Sequence, residues 1–250
     1  MPWFWGAELE PWSAASLTVF SSNGHMLAAS SSSGSSSLLS VWDLSGQKLL
    51  LETEVPDSIF QLAISHDENN GGRWVAAITA QNIYVWDVTT MRLRWSLEHT
   101  SEYTRHEGPA ALQFSDGKLV VLWSRGMHHS LIYYNVTNGT QLTHVNLPSV
   151  LECDFPNETF SLSPSGQRAT WGSEIGSELQ VIFLSQEQAN IQMVLRSTVG
   201  FYRPYLTFPN DSMVLTNYGM LNINTMLAEA AIEPNTPQNT LQKKVSIARL

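Results

Sequence analysis

The sequence predicts an all-β fold built from about five four-stranded antiparallel units. Three observations point there: apolar runs that recur every 44 to 50 residues, a turn signal inside each recurrence, and a Val-Trp-Asp triplet that closes two runs 44 positions apart. The triplets sit in "LLSVWDL" (38–44) and "NIYVWDV" (82–88). Repeats of this length are a fold-level signal that outranks any single predicted element.

The apolar runs align on a small anchor residue: Ser21, Ser65, Ser115, Ser163 and Pro209, at spacings of 44, 50, 48 and 46. A turn signal follows each anchor: Asn23-Gly24, Gly71-Gly72, Asp116-Gly117, Ser165-Gly166 and Asn210-Asp211. Asn-Gly and Asp-Gly between apolar runs predict a hairpin, because those residues accept the positive φ of tight turns. A second run then appears, such as "HMLAAS" or "KLVVLWS". The third strand of each unit ends in an aromatic and a polar residue, Trp42-Asp43, Trp86-Asp87 and Tyr134-Asn135. The fourth and fifth units are expected to carry Phe183-Leu184 and the faded Asn222-Ile223-Asn224 at that place. A polar turn and a fourth strand complete the unit ("KLLLE", "RLRWSL", "TQLTHV", "NIQMVL"). Rings ending the third strand are expected in the core, with Trp42 and Trp86 buried at equivalent positions. Four strands per 40–50 residues describe a β-propeller blade.

The units span about 13–54, 55–100, 106–147, 156–198 and 200–232, leaving 1–12 and 233–250 as terminal segments that could supply closing strands. Five blades either close a ring or form part of a larger one, so an incomplete ring is also an expected outcome. The first segment holds three Trp and a Phe, and "KKVSIARL" alternates polar with apolar, so at least one terminus is expected to pair with a blade at the far end of the array.

Val41-Trp42-Asp43, Val85-Trp86-Asp87 and the stretch "RHEGPAALQFSDGKLVV" (105–121) resemble the WD-repeat family over roughly residues 13 to 232. The resemblance implies a β-propeller that binds proteins. It further implies that a His before the first strand, the place of His106, joins an Asp in the middle turn and the strand-three Trp in a hydrogen-bond network. The third unit departs from this, with Tyr134 for Trp and no Asp in its "RGMHHS" turn.

Composition narrows function by exclusion. Charged residues make up 14% against roughly 25% in an ordinary soluble domain, and 43% are hydrophobic, so a packed core rather than disorder is expected. A net charge of −9 argues against binding duplex nucleic acid or an anionic membrane surface, which need cationic faces. Cys153 is the one cysteine, which excludes an intrachain disulfide and a thiolate zinc site. Its flanking Glu152 and Asp154, with His144 nearby in sequence, form no convincing nucleophile pair. No leader-like apolar stretch opens the sequence and no run approaches about 18 apolar residues, so cytoplasm or nucleus is expected.

One loop stands out. Arg125, Met127, His128 and His129 fall in the second-to-third-strand turn of the third unit, a candidate partner-binding loop on a propeller face. Adjacent histidines on extended backbone point to opposite faces and chelate poorly, so no metal is expected there. No phosphate loop, nucleophile elbow or metal-spaced set occurs, so neither cofactor nor catalytic residue is assigned. The expected function is a non-catalytic protein-interaction scaffold, a subunit of a larger complex or part of a multidomain protein. The alternative is a glycosidase-like hydrolase with two carboxylates at the central channel.

Overall fold

The computed structural model describes residues 17–21, 24–33, 35–65, 74–99, 107–125, 128–147, 158–173, 178–184, 189–196, 207–216, 219–225 and 242–244. The chain divides into two compact units, Met1–His99 and Thr100–Leu250. Among the described residues no helix is long and apolar enough to cross a membrane.

The first unit holds two four-stranded antiparallel sheets. One is β1 (Leu17–Phe20), β2 (Met26–Ser33), β3 (Ser36–Asp43) and β4 (Lys48–Val55), in that order. The other is β5 (Ile59–Ile64), β6 (Trp74–Thr79), β7 (Asn82–Asp87) and β8 (Arg92–Glu98). One core joins them: Ala28, Leu39, Val41 and Leu51 from the first sheet meet Leu62, Val75, Ala77 and Trp86 from the second. The Ile59 N–H donates to Ser37 Oγ at 3.0 Å, tying the start of the second sheet to the third strand of the first.

The second unit opens with the four-stranded sheet β9 (Glu107–Ser115), β10 (Lys118–Arg125), β11 (His128–Asn135) and β12 (Gln141–Asn146). The next sheet contains β13 (Glu158–Leu162), β14 (Arg168–Ser173), β15 (Glu178–Leu184) and β16 (Ala189–Arg196). A three-stranded sheet follows: β17 (Thr207–Asn210), β18 (Met213–Thr216) and β19 (Gly219–Asn222). The last described strand, β20 (Gln242–Lys244), lies parallel to β16 as a fifth strand of the fourth sheet. Among the described residues the five repeats carry four, four, four, five and three strands. The C-terminal residues 242–244 pair with the fourth sheet and not the first; residues 1–12 lie outside the described residues. Leu122, Leu131, Val145, Leu162, Ala169 and Leu184 form the core between the third and fourth sheets. Beside it, the Gln113 side-chain amide clamps Leu162, donating to its carbonyl at 3.0 Å and accepting from its N–H at 2.8 Å.

The recurrent sequence anchors have a definite job. Each serine is buried, and the Oγ of Ser21, Ser65 and Ser163 accepts the N–H of the first residue of its hairpin's second strand: Met26 at 2.9 Å, Trp74 at 3.0 Å and Arg168 at 3.1 Å. Ser115 follows a different course because its turn is shorter. Asp116 and Gly117 both have positive φ (47° and 68°), the two-residue turn that Asp-Gly predicts, and Ser115 Oγ donates to the carbonyls of Ser163 and Pro164 in the β13–β14 turn.

The polar residue after the aromatic is a turn cap. Asp43 Oδ1 accepts the N–H groups of Ser45 and Gly46 at 2.9 and 3.0 Å, and Asp87 Oδ1 those of Thr89 and Thr90 at 3.0 and 3.3 Å. Asn135 caps Thr137 at 2.8 Å, and Asn222 caps Thr225 at 3.0 Å. Side-chain oxygens of Asp and Asn hold the backbone two residues on in this way. Four residues past the cap the backbone turns left-handed, at Gln47 (φ 50°), Met91 (φ 54°) and Gly139 (φ 73°). Of these three positions, only Gly139 is the residue type that suits that region. Gln47→Gly and Met91→Gly should each stabilise the chain by about 0.5–1 kcal/mol in chemical denaturation, since relief of the left-handed penalty exceeds the entropy cost of glycine.

A β-bulge fixes the equivalences. The third-to-fourth strand register slips between Val41 and Trp42, Val85 and Trp86, Tyr133 and Tyr134, and Val181 and Ile182. Ile182-Phe183, not Phe183-Leu184, therefore stands at the Trp-Asp place in the fourth unit, opposite Ala169 and Arg168. In the fifth, Leu221-Asn222 pairs with Val214 and Met213, and Ile223 is the buried residue after the cap. Trp42 and Trp86 are equivalent in register but not in burial. Trp86 is 4% exposed against the first sheet, whereas Trp42 is half-buried, because Val41 takes the face toward the second sheet and alternation turns Trp42 away from it.

Candidate functional site

In each compact unit a turn between second and third strands carries buried polar side chains. In the first unit the β6–β7 turn is laced by Thr79, whose Oγ1 donates to the Asn82 carbonyl and accepts the Asn82 N–H, both at 3.1 Å. His99, directly after β8, donates its N–H to the Gln81 carbonyl at 2.8 Å and brings Nε2 within 3.2 Å of the Thr79 carbonyl. A carbonyl only accepts, so Nε2 carries the proton in the neutral ring. Burial pushes the His99 pKa down, opposed by the Thr79 carbonyl and the Asp57 carboxylate. Asp57, in the β4–β5 connection, accepts the Ser58 N–H at 2.8 Å. Burial and then the charge of Asp57 raise the Tyr84 hydroxyl. His99 is held in a structural role: its backbone and ring both brace one turn.

In the second unit the β10–β11 turn has Arg125 opposite His128 and Ser124 opposite His129. His128 is exposed, whereas His129 is 6% exposed and bonds through Nδ1 to Ser124 Oγ at 3.0 Å. Burial, then the neighbouring His128 charge, lowers the His129 pKa to about 4, so its imidazole is neutral at pH 7. The two histidines take opposite faces, as extended backbone requires. This corrects the loop assignment for His129, which belongs to the core and not to a recognition surface. The Arg125 side chain and Met127 lie outside the described residues. Among the described residues, no group of three or more His, Cys, Asp or Glu is gathered as a metal would need.

Structural comparison places this arrangement. The chain is similar to the WD40 domain of SCAP from fission yeast (TM-score 0.57, 13% identity, covering 84% of this chain and 53% of that one). It is equally similar to the WD40 domain of Toxoplasma gondii coronin (0.57, 11%, 82% and 54%). The fold is that of a WD-repeat β-propeller. A third similar structure is KlAtg21 in complex with the coiled coil of AgAtg16 (0.55, 12%, 81% and 77%). The chain spans about half the length of the SCAP and coronin chains it matches. No protein-family model matches the sequence, and no curated protein matches it either.

Within the WD-repeat blades the motif residues take structural places. Trp42 and Asp43, Trp86 and Asp87, and Tyr134 and Asn135 close the third strands, with Asp87 fully buried and Tyr134 5% exposed. His106 lies outside the described residues, as do Glu152, Cys153 and Asp154. His144 is exposed on β12, opposite Ile132.

The sequence reading missed two features. One is His99, whose signal was its position directly after the fourth strand of the second repeat. The other is the outer strand of the second blade, where Met91 and Leu93 are 52% and 49% exposed beside two arginines. Alternation within "MRLRWSLE" carried that signal.

Proposed function

We propose that this chain is a non-catalytic protein-interaction scaffold of the cytoplasm or nucleus, working within a larger complex or a multidomain protein. Its second-to-third strand turns present side chains to protein partners. The observation behind this reading is the split pair in the third blade. His129 is buried and bonded to Ser124, which fixes the strand end, and His128 stands exposed one residue earlier. A side chain displayed from a rigid sheet end costs little ordering entropy on binding, which is how scaffolds carry recognition on loops. Arg125 shares that turn and belongs to a residue type enriched at interface centres. The fold likeness to KlAtg21, whose structure is a complex with a coiled coil, is in keeping with a protein ligand.

The test is capture from a lysate of the native host on the immobilised chain, comparing wild type with the Arg125→Ala/His128→Ala double variant. Proteins retained by the wild type and lost from a variant of unchanged melting are the expected result. Equal retention by both would remove the turn from the interface, and retention of nothing specific would overturn the scaffold reading.

A further inference from the structure

Neighbouring blades pack by one rule, seen in both compact units. Trp86, its cross-strand partner Val75 and then Ile64 pack on Met26, Ala28 and Val41 of the preceding sheet. Leu162 and Ala169 of the fourth sheet pack in the same way on Val120 and Leu131 of the third. The face that bears the Trp-place row therefore leads, resting on the blade before. The face that bears the row one residue earlier trails, receiving the blade after.

The first blade has a leading row too. Phe20 pairs with Leu27 and Leu27 with Trp42, the equivalents of Ile64, Val75 and Trp86. In the second blade all three places are buried, and in the third so are Phe114, Leu119 and Tyr134. In the first, Phe20 is 59% exposed and Leu27 and Trp42 are partly exposed. The fifth blade repeats this on its other face. Met213, Leu215 and Met220 stand where the first blade has Met26, Ala28 and Val41. Those three are buried, whereas Met220 is 56% exposed and Met213 and Leu215 are partly exposed. One chain thus carries an open leading face and an open trailing face, the two halves of a blade-on-blade junction. Neither row holds a charge, so covering it strands no ion away from water. Phe, Trp and Met are residue types enriched in protein interfaces, and the flexible Met side chain fills irregular gaps.

We infer that the leading face of the first blade in one copy of this chain receives the trailing face of the fifth blade in a second copy. The contact joins two different faces, so it runs head to tail, and further copies add until a ring closes. This stands independently of whether the β10–β11 turn binds anything.

The test measures the mass of the full chain by light scattering after size exclusion. Loading runs from about 1 μM to about 100 μM, a range that brackets micromolar self-affinity. Wild type should rise from monomer to multiples of the chain mass. Phe20→Asp spoils only the leading face and Met220→Asp only the trailing face. Both positions are exposed, so each variant should keep wild-type melting at the lowest concentration. Each variant alone should stay monomeric throughout, because a junction needs one intact face of each kind. An equimolar mixture of the two should form a one-to-one dimer and nothing larger. A wild type that stays monomeric at every concentration would overturn the inference and assign the faces to another occupant. So would self-association that survives in either variant, or a mixture that fails to pair.

Discussion

Trp86→Ala should destabilise the first unit by about 3–5 kcal/mol, the range for emptying a buried tryptophan site. Trp86 is 4% exposed, packs within the core shared by the first two sheets, and stacks on Tyr84 with centroids 5.5 Å apart and planes 28° from parallel. Its neighbours Val75, Ala77 and Leu62 belong to paired strands and cannot collapse into the space without breaking ladder bonds. Trp42→Ala, at the equivalent position on a half-exposed face, should cost about 1–2 kcal/mol, in line with partial burial. Urea denaturation of the two variants checks the contrast. Equal losses would mean that register alone, and not the covering sheet, sets the worth of the ring.

Acid should act on the second unit through His129. Its folded pKa, about 4, lies below the unfolded value near 6.5. The unfolded chain therefore binds the proton first as pH falls. The stabilisation is complete above pH 6.5, declines between 6.5 and 4, and levels off below 4. The total is on the order of 3 kcal/mol, at about 1.4 kcal/mol per pKa unit. His129→Asn removes the titrating ring. Denaturant midpoints of wild type and variant at pH 7.5, 5.5 and 4 should therefore converge as the pH falls, whatever the carboxylates contribute to both. Parallel midpoints across that range would show that the imidazole is already solvated.

The blade repeat was readable because its signals are local. Asp116-Gly117 demanded its two-residue turn, and serines before a turn marked hairpin ends that proved to be hydroxyl caps. The fourth repeat's motif stands one residue before the place that the aromatic Phe183 predicts, because the bulge that sets the register has no residue signature. Trp42 was expected in the core because alternation tells which residues share a face but not what lies against that face. The same limit hid the contrast between His128 and His129. Extended backbone predicts that they diverge, and only the packed sheet shows which one turns inward.

Two kinds of hydrogen bond in this chain differ in reach. Those that close a hairpin link residues two to nine positions apart, as in Asp43 with Ser45 or Ser65 with Trp74. Those that lock neighbouring sheets reach 22 positions from Ser37 to Ile59, 49 from Gln113 to Leu162, and 56 from Arg168 to Asn224. Loop-closure entropy grows with the logarithm of that separation, so the first class closes at lower cost than the second. The bonds within each hairpin therefore form at lower entropic cost than the bonds that stack one sheet on the next. Local order within a blade thus comes at little entropic cost, whereas the packing of blade on blade carries the larger share of the chain's ordering.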